Sequence, residues 1–193
     1  MAAPETKNVA SMKPYAGGGV YRAPAGTTLP TDATTALAGA YIPLGYISED
    51  GIKPSRDTSI DKIKAWGGDV VAALLTDDSR SFEFTLLEVF SSEVQKYLFG
   101  TSNVTVTAAV SGTGSKLAVQ DKAYKPTNDI IVFEMKFGAK RRRLVVPIAD
   151  ASVTGEEPYT DGGLSAYTLT IEALKDTNGT RVYDYMQNDD PLP

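Results

Sequence analysis

The stretch SRSFEFTLLEVFSSEVQKYLFG, residues 79–100, decides the fold because its two halves repeat with different periods. Three apolar residues of the first half alternate with polar ones: Phe82, Phe84 and Leu86. A period of two predicts a half-buried β-strand. Four apolar residues of the second half recur at the spacing of one helical face: Phe90, Val94, Tyr97 and Leu98. The stretch therefore predicts a strand that runs directly into a helix, over about residues 91–99.

Local signals mark both ends of this helix. Ser92 followed by Gln95 fits a capping box, in which the two side chains satisfy free N–H groups of the first turn. Gly100 can adopt the left-handed conformation that ends a helix. No other part of the chain has a convincing helical period, so we expect strands and loops elsewhere.

Outward from this stretch, apolar runs alternate with turn signals. Residues 58–66 and the apolar run VVAALL, residues 70–75, predict two strands, the second buried, with a turn at Asp77-Asp78 after it. Further strands are predicted within residues 103–110, 116–124, 129–138, 139–150, 164–174 and 180–186. Gly138, Asp50-Gly51 and Asn178-Gly179 are hairpin signals. The fold class is mainly β, an antiparallel β-sandwich or barrel with one flanking α-helix.

Composition divides the chain into an arm, one domain and a tail. Residues 1–40 are rich in Gly, Pro, Ala and Thr without a periodic apolar face, which indicates a disordered tail or an extended arm. Tyr15 and Tyr21 favour an arm that docks on a neighbouring subunit. Residues 41–186 are expected to form a single β-sandwich domain, and residues 187–193 a flexible C-terminal tail.

The absence of two residue types excludes much chemistry. The chain has no Cys and no His, so disulfides, thiolate metal sites and Ser-His-Asp catalysis are excluded. We therefore expect no enzyme activity, no metal and no cofactor. The net charge of −5 argues against binding to nucleic-acid phosphates. No apolar run approaches the roughly 20 residues of a membrane helix, and no membrane contact is expected.

Isolated motifs have ordinary structural explanations beside functional ones. The basic run Lys140–Arg143 could bind phosphates, but four consecutive strand residues alternate between faces, which favours a structural or interface role. We expect these side chains to face the outside or a neighbouring subunit. Trp66 is either a core or edge aromatic or an anchor of a subunit contact. The EF-hand-like spacing that begins at Asp57 fails at Lys62 and Gly68, so it does not predict calcium binding.

The order of several short motifs resembles the major tail proteins of long-tailed siphovirus-type bacteriophages, which are tail tube subunits. The motifs are LGYISEDG at 44–51, KAWGG at 64–68 and the strand-to-helix element that ends at Gly100. The resemblance covers roughly residues 40–185 and contains no catalytic signature. It implies a structural virion protein whose six subunits close into a ring, with rings stacked into the tube through which the genome is ejected.

The resemblance also implies partners and a location. The main partner is a second copy of the chain, and the others are tail proteins such as the tape measure, the tail terminator and the tip complex. DNA would pass through an acidic lumen without specific binding. The protein would be assembled in the cytoplasm of the bacterial host and would reside in the virion tail.

We expect four assembly regions: the arm, the loop around residues 67–78 that contacts the next ring, the hairpin at 129–149 and the strand at 180–186. The candidate interface residues are Tyr15, Tyr21, Trp66, Asp69, Asp77, Asp78, Arg141, Arg142 and Arg143. Two alternatives remain open. One is a carbohydrate- or receptor-binding β-sandwich of a virion. The other is a His-free glycoside hydrolase, for which no carboxylate pair across a cleft can be identified.

Overall fold

The computed structural model describes residues 5–126 and 128–189. These residues form eleven strands, the helix α1 (Ser92–Phe99) and three short 3₁₀ helices (Thr6–Asn8, Gly17–Gly19 and Thr101–Asn103). The strands are β1 (Lys13–Pro14), β2 (Val20–Ala23), β3 (Ile42–Pro43), β4 (Lys53–Lys64), β5 (Val70–Leu86), β6 (Val104–Thr107), β7 (Lys116–Val119), β8 (Asp129–Phe137), β9 (Lys140–Val153), β10 (Tyr167–Ala173) and β11 (Tyr183–Gln187).

Most strands lie in one antiparallel sheet. Its order is β3-β2-β8-β9-β10-β5-β4, with β1 also on β8 and β11 also on β9. Strands β6 and β7 form a separate hairpin, and the connection between them contains residues 111–115. The hairpin of β8 and β9 turns at Gly138, whose φ is +60°, as predicted. The mainly β, antiparallel architecture with one helix is therefore confirmed.

Two apolar clusters cover the two faces of the centre of the sheet. The larger contains the alternating apolar residues of β5 and the buried side chains of α1. The smaller lies on the other face of β8 and β9, where Val132 and Val145 pack with Tyr41. Strand β8 is thus buried on both faces, whereas β5 leaves Glu83 exposed, as its alternation predicts. Burying each Leu or Phe contributes roughly 1.5–3 kcal/mol.

Helix α1 has the predicted position but a different N-terminus. Its N-cap is Ser91, which makes no side-chain capping bond, so the predicted capping box is wrong. Gln95 instead donates to the carbonyl oxygen of Val89 (2.6 Å) and to the hydroxyl of Tyr167 (3.2 Å), because its side chain is buried against β10. Phe90 precedes the helix and is 93% exposed, so its predicted place on the buried face is wrong.

The region before residue 80 differs most from the prediction. Strand β5 is continuous over 17 residues, and Asp77 and Asp78 pair with β4 inside it, so the predicted turn there is wrong. Residues 70–75 form a strand but lie largely exposed, so their predicted burial is also wrong. The cause is that β5 extends past the end of β10, where only β4 pairs with it.

The Asp50-Gly51 and Asn178-Gly179 turns form, but neither closes a hairpin. Residues before and after Gly51 both pair with β5, through the Ile47 bridge and through β4. Strands β10 and β11, on either side of Gly179, both pair with β9. Each turn therefore moves the chain along one neighbouring strand instead of folding it back on itself.

The segment before residue 41 is partly built into the sheet. Strand β2 pairs with β8, and Leu29 and Leu37 pack with Tyr41 against the smaller apolar cluster. The boundary at residue 40 stays a prediction, although part of the predicted arm packs on its own chain. Residues 1–4 and 190–193 lie outside the described residues, and they include most of the predicted C-terminal tail.

Gly18 is expected to tolerate no side chain. Its φ is +82°, and a Cβ there would overlap the backbone carbonyl oxygen of Gly45. We expect Gly18→Ala to lower the free energy of unfolding by more than about 2 kcal/mol, since the left-handed backbone alone costs about 1–2 kcal/mol. The control is Gly26→Ala, which has φ +83° but open space around the Cβ. Urea unfolding compares the two, and equal losses would contradict this explanation.

Candidate functional site

Strands β4 and β5 continue beyond the sheet as a two-stranded ribbon, residues 55–81. Strand β10 pairs with β5 only from Ser81 to Leu86, so the rest of β5 pairs with β4 alone. At about 3.3 Å per residue, the ribbon is roughly 30 Å long. It exposes seven large apolar side chains: Ile60, Ile63, Trp66, Val70, Val71, Leu74 and Leu75. A two-stranded hairpin is at best marginally stable by itself, so cover by a partner surface would stabilise the ribbon.

The register places apolar side chains on both faces of the ribbon. Leu75 lies opposite Ile60, and Leu74, one residue away on β5, points to the other face, which it shares with Ile63. The exposed fractions of Leu74 and Leu75 are 52% and 62%. Polar residues occupy the part nearer the sheet. The two-faced distribution fits a ribbon enclosed on both sides.

Trp66 and Asp69 lie at the tip of the ribbon. Trp66 is fully exposed, so it is not a core aromatic. The backbone N–H of Ala65 donates to the carbonyl oxygen of Asp69 (2.8 Å) and closes the tip. Gly67 has φ +117°, a conformation that other residues rarely adopt. Trp66 is therefore available for contact, and its interface role stays a prediction.

The root of the ribbon borders a cleft of about 390 Å³. Asp77 is exposed on β5, whereas Asp78 turns into the cleft, with an oxygen 3.1 Å from Nε of Arg56. We call this the basic cleft, and its charged residues are Arg56, Asp78, Arg80, Lys175, Arg181 and Asp184. Sequence reasoning missed its cations because they lie singly on separate strands and loops, which only the pairing brings together.

The basic run of β9 alternates between faces, as predicted, and its arginines are used within the chain. The guanidinium of Arg141 lies 4.0 Å from the ring centroid of Tyr15. Arg142 donates from Nε and Nη2 to the carboxylate of Asp184 (3.0 and 2.7 Å), and these hydrogen bonds raise the pKa of Arg142. Both arginines remain partly accessible.

Arg143 is 3% exposed and faces the interior of its own chain, so its predicted outward orientation is wrong. It donates to Glu134, which is also buried, through Nε (2.8 Å) and Nη2. It also donates to the backbone carbonyl oxygens of Asp32 and Thr35, each at 2.7 Å. Arg143 therefore holds the segment between β2 and β3 against the sheet. The sequence gives no sign of this contact, because the partners are distant along the chain.

The two predicted tyrosines of the arm lie beside the pair of Arg143 and Glu134. Tyr15 is 45% exposed, and its N–H donates to the carbonyl oxygen of Glu134 (2.9 Å). The hydroxyl of Tyr21 donates to the carbonyl oxygen of Ala16 (2.7 Å). Burial, and secondarily the charge of Glu134, raise the pKa of Tyr21. Tyr15 is reachable by a partner, and contact of either tyrosine with another subunit stays a prediction.

The described part of the chain offers no cluster of three or more acidic residues placed to share a metal ion. No helix within it is long and apolar enough to cross a membrane. Three surface features stand out among the described residues: the ribbon, the basic cleft and the partly exposed basic strand.

Comparison with known proteins places nearly the whole chain in one family. A family model described as phage tail tube protein matches residues 7–193, a range that contains the ribbon, the basic cleft and the whole sheet. The search of curated proteins gave no match. The resemblance stated from the sequence is therefore confirmed at the level of the family.

Proposed function

The chain belongs to the phage tail tube protein family, and from this we propose that it closes into rings, six subunits being our expectation, that stack into the tail tube. The tube is the conduit for genome ejection. Membership makes the chain a structural virion protein and points to a non-enzymatic role. The proposal includes contacts with the tape measure, the terminator and the tip complex, and assembly in the host cytoplasm.

The main support for the proposal is the ribbon. It combines a long extension beyond the sheet with apolar side chains on both faces and a fully exposed Trp66 at its tip. Burial of such side chains stabilises association. Single exposed apolar residues are common on protein surfaces, but a continuous apolar extension indicates an interaction site. The ribbon therefore reaches the next ring, with its distal half held between two neighbouring subunits.

Two further features support rings and a conduit. Strand β4 leaves one edge unpaired over 12 residues in the single chain, among the described residues. Pairing between subunits would remove an edge that otherwise invites uncontrolled association. The net charge of −5 suits a channel through which DNA slides, because an acidic wall repels phosphates.

The exposed aromatics give little support to a glycan- or receptor-binding module. Trp66, Phe90 and Tyr159 are the most exposed of the described aromatics, and they lie at the ribbon tip, before α1 and in the loop before β10. Tyr15 and Tyr46 line one cleft, but they are less exposed. Glycan-binding surfaces need aromatics that share one face, so the structural reading is better supported.

Negative-stain electron microscopy of the purified chain over a range of concentrations tests the proposal. We expect rings or hollow tubes of uniform diameter, whose amount rises steeply above a threshold concentration. Assembly is expected without a metal or cofactor. Particles that remain monomeric at every concentration, both alone and together with the tip complex, would contradict it.

A further inference from the structure

The carboxylates of the basic cleft do not balance its cations. Asp78 is engaged by Arg56, at 3.1 Å from Nε. Asp184 is held by two hydrogen bonds from Arg142, which lies outside the cleft. Both acids of the cleft are therefore already neutralised by arginine partners.

Two cations of the cleft, Arg80 and Lys175, remain for a ligand. Arg80 and Lys175 form no ion pair within the described part of the chain, and Arg181 approaches Asp78 only at 3.9 Å. The guanidinium of Arg80 also lies 5.4 Å from the ring centroid of Phe82, and Nη1 of Arg181 donates to the carbonyl oxygen of Ala173 (3.2 Å). Guanidinium groups prefer carboxylate or phosphate partners. The cleft is thus set to receive an anion.

Strand pairing places the cleft at one end of the molecule. Tyr167 of β10 lies opposite Leu86, and Glu172 lies opposite Ser81, so β5 runs past the C-terminal end of β10 into the ribbon. Lys175 and Arg181 follow that same end of β10. The ribbon and the cleft therefore project from one end, which we call the ribbon end.

The opposite end carries an acidic loop, residues 155–163, between β9 and β10. The loop contains Glu156, Glu157 and Asp161 and no Lys or Arg, and Asp121 and Lys122 line the same cleft as Glu156 and Glu157. Glu156 and Asp161 are exposed, whereas Glu157 is half-buried and accepts a hydrogen bond from Tyr159. Strand β10 separates the acidic loop from the cleft by roughly 24 Å, so the two do not meet within one chain.

We propose that the basic cleft of one subunit binds the carboxylates of the acidic loop of a second copy in the next ring. In a head-to-tail stack, the ribbon end of each subunit faces the loop end of its neighbour. Excess positive charge then meets excess negative charge, and this contact sets the direction and register of stacking. The inference rests on the proposed stacking function and names the polar contact that accompanies the apolar ribbon.

Cysteine cross-linking tests the contact directly, because the chain contains no cysteine of its own. A chain with both Lys175→Cys and Glu156→Cys should form a ladder of covalent multimers under mild oxidation. A disulfide requires Cα atoms within about 7 Å, so the two positions cannot bridge within one chain. The single variants are the controls and can yield dimers at most. Absence of a ladder under conditions where the protein sediments as tubes would overturn the inference.

A charge exchange separates this inference from the proposed function. Arg80→Glu with Lys175→Glu should raise the threshold concentration for tubes about tenfold, and adding Glu156→Lys with Asp161→Lys should restore it. Lys175→Glu alone repeats the test in case the double variant does not fold. Lys116→Glu is the matched control, because Lys116 is an exposed lysine on β7. If the threshold concentration for tubes is unaffected by these changes, the cleft contact is contradicted and the proposed tube function is not. A cross-linked ladder without tubes supports the contact and contradicts the tube.

Discussion

Leu75→Asp is expected to abolish tube formation and to leave the subunit folded. Leu75 is 62% exposed in the single chain, so a charge costs the free subunit little. In the proposed interface the same change removes a buried Leu, about 3 kcal/mol, which lowers the association constant roughly 150-fold. Burial of the new carboxylate adds to the loss. Sedimentation over a concentration range, with electron microscopy of the pellets, measures the effect.

Leu74→Asp tests the opposite face of the ribbon. If neighbours enclose the ribbon on both faces, the two variants fail equally, whereas a ribbon that lies flat on one partner loses assembly in only one of them. Val110→Asp is the control, since Val110 is 68% exposed on the separate β6–β7 hairpin. If both leucine variants form normal tubes, the ribbon has no role in the assembly. Thermal unfolding verifies that each subunit remains folded.

Arg143→Met is expected to cause the largest loss of subunit stability. The change leaves the carboxylate of Glu134 buried without its partner, and breaking such a pair typically costs about 3–5 kcal/mol. For a chain of this size, the melting temperature should fall by about 10 °C. The carbonyl oxygens of Asp32 and Thr35 also lose their donor, so hydrogen exchange should accelerate between β2 and β3. Thermal unfolding and exchange mass spectrometry measure the two effects.

Arg142→Met is the matched control for Arg143→Met. The ion pair of Arg142 with Asp184 is about one third exposed on both sides, so its removal should cost less than about 1 kcal/mol. Adding Glu134→Met to Arg143→Met should recover part of the stability, because it removes the unpaired charge. If the two single arginine variants lose the same free energy of unfolding, burial of the ion pair does not determine how much stability its removal costs.

The sequence predicted the elements with strong periodicity. Phe82, Phe84 and Leu86 alternate in the sequence and are buried in the structure, and Gly100 ends the helix with a positive φ. Such patterns report local geometry and burial within one chain. The capping box failed because the side chain of Gln95 found better partners in β10 and in the backbone before the helix.

The candidate site was less accessible to sequence reasoning. The run at 70–75 predicts a strand covered on both faces, and the pattern does not say whether its own chain or another supplies the cover. The single chain leaves it exposed, which turns a predicted core strand into a proposed interface. The opposite error occurred at Arg143, since a basic run suggests a surface although this residue is buried.

Residue types and local periods were enough to predict the fold class and the strand-to-helix element and to exclude cysteine and histidine chemistry. The motif order of the sequence also indicated the family. Long-range contacts, in contrast, set which end of the sheet carries the ribbon, how the basic cleft assembles and which arginine is buried. These features depend on strand register and on contacts between distant residues, such as Arg143 with Asp32, and local patterns contain no record of them.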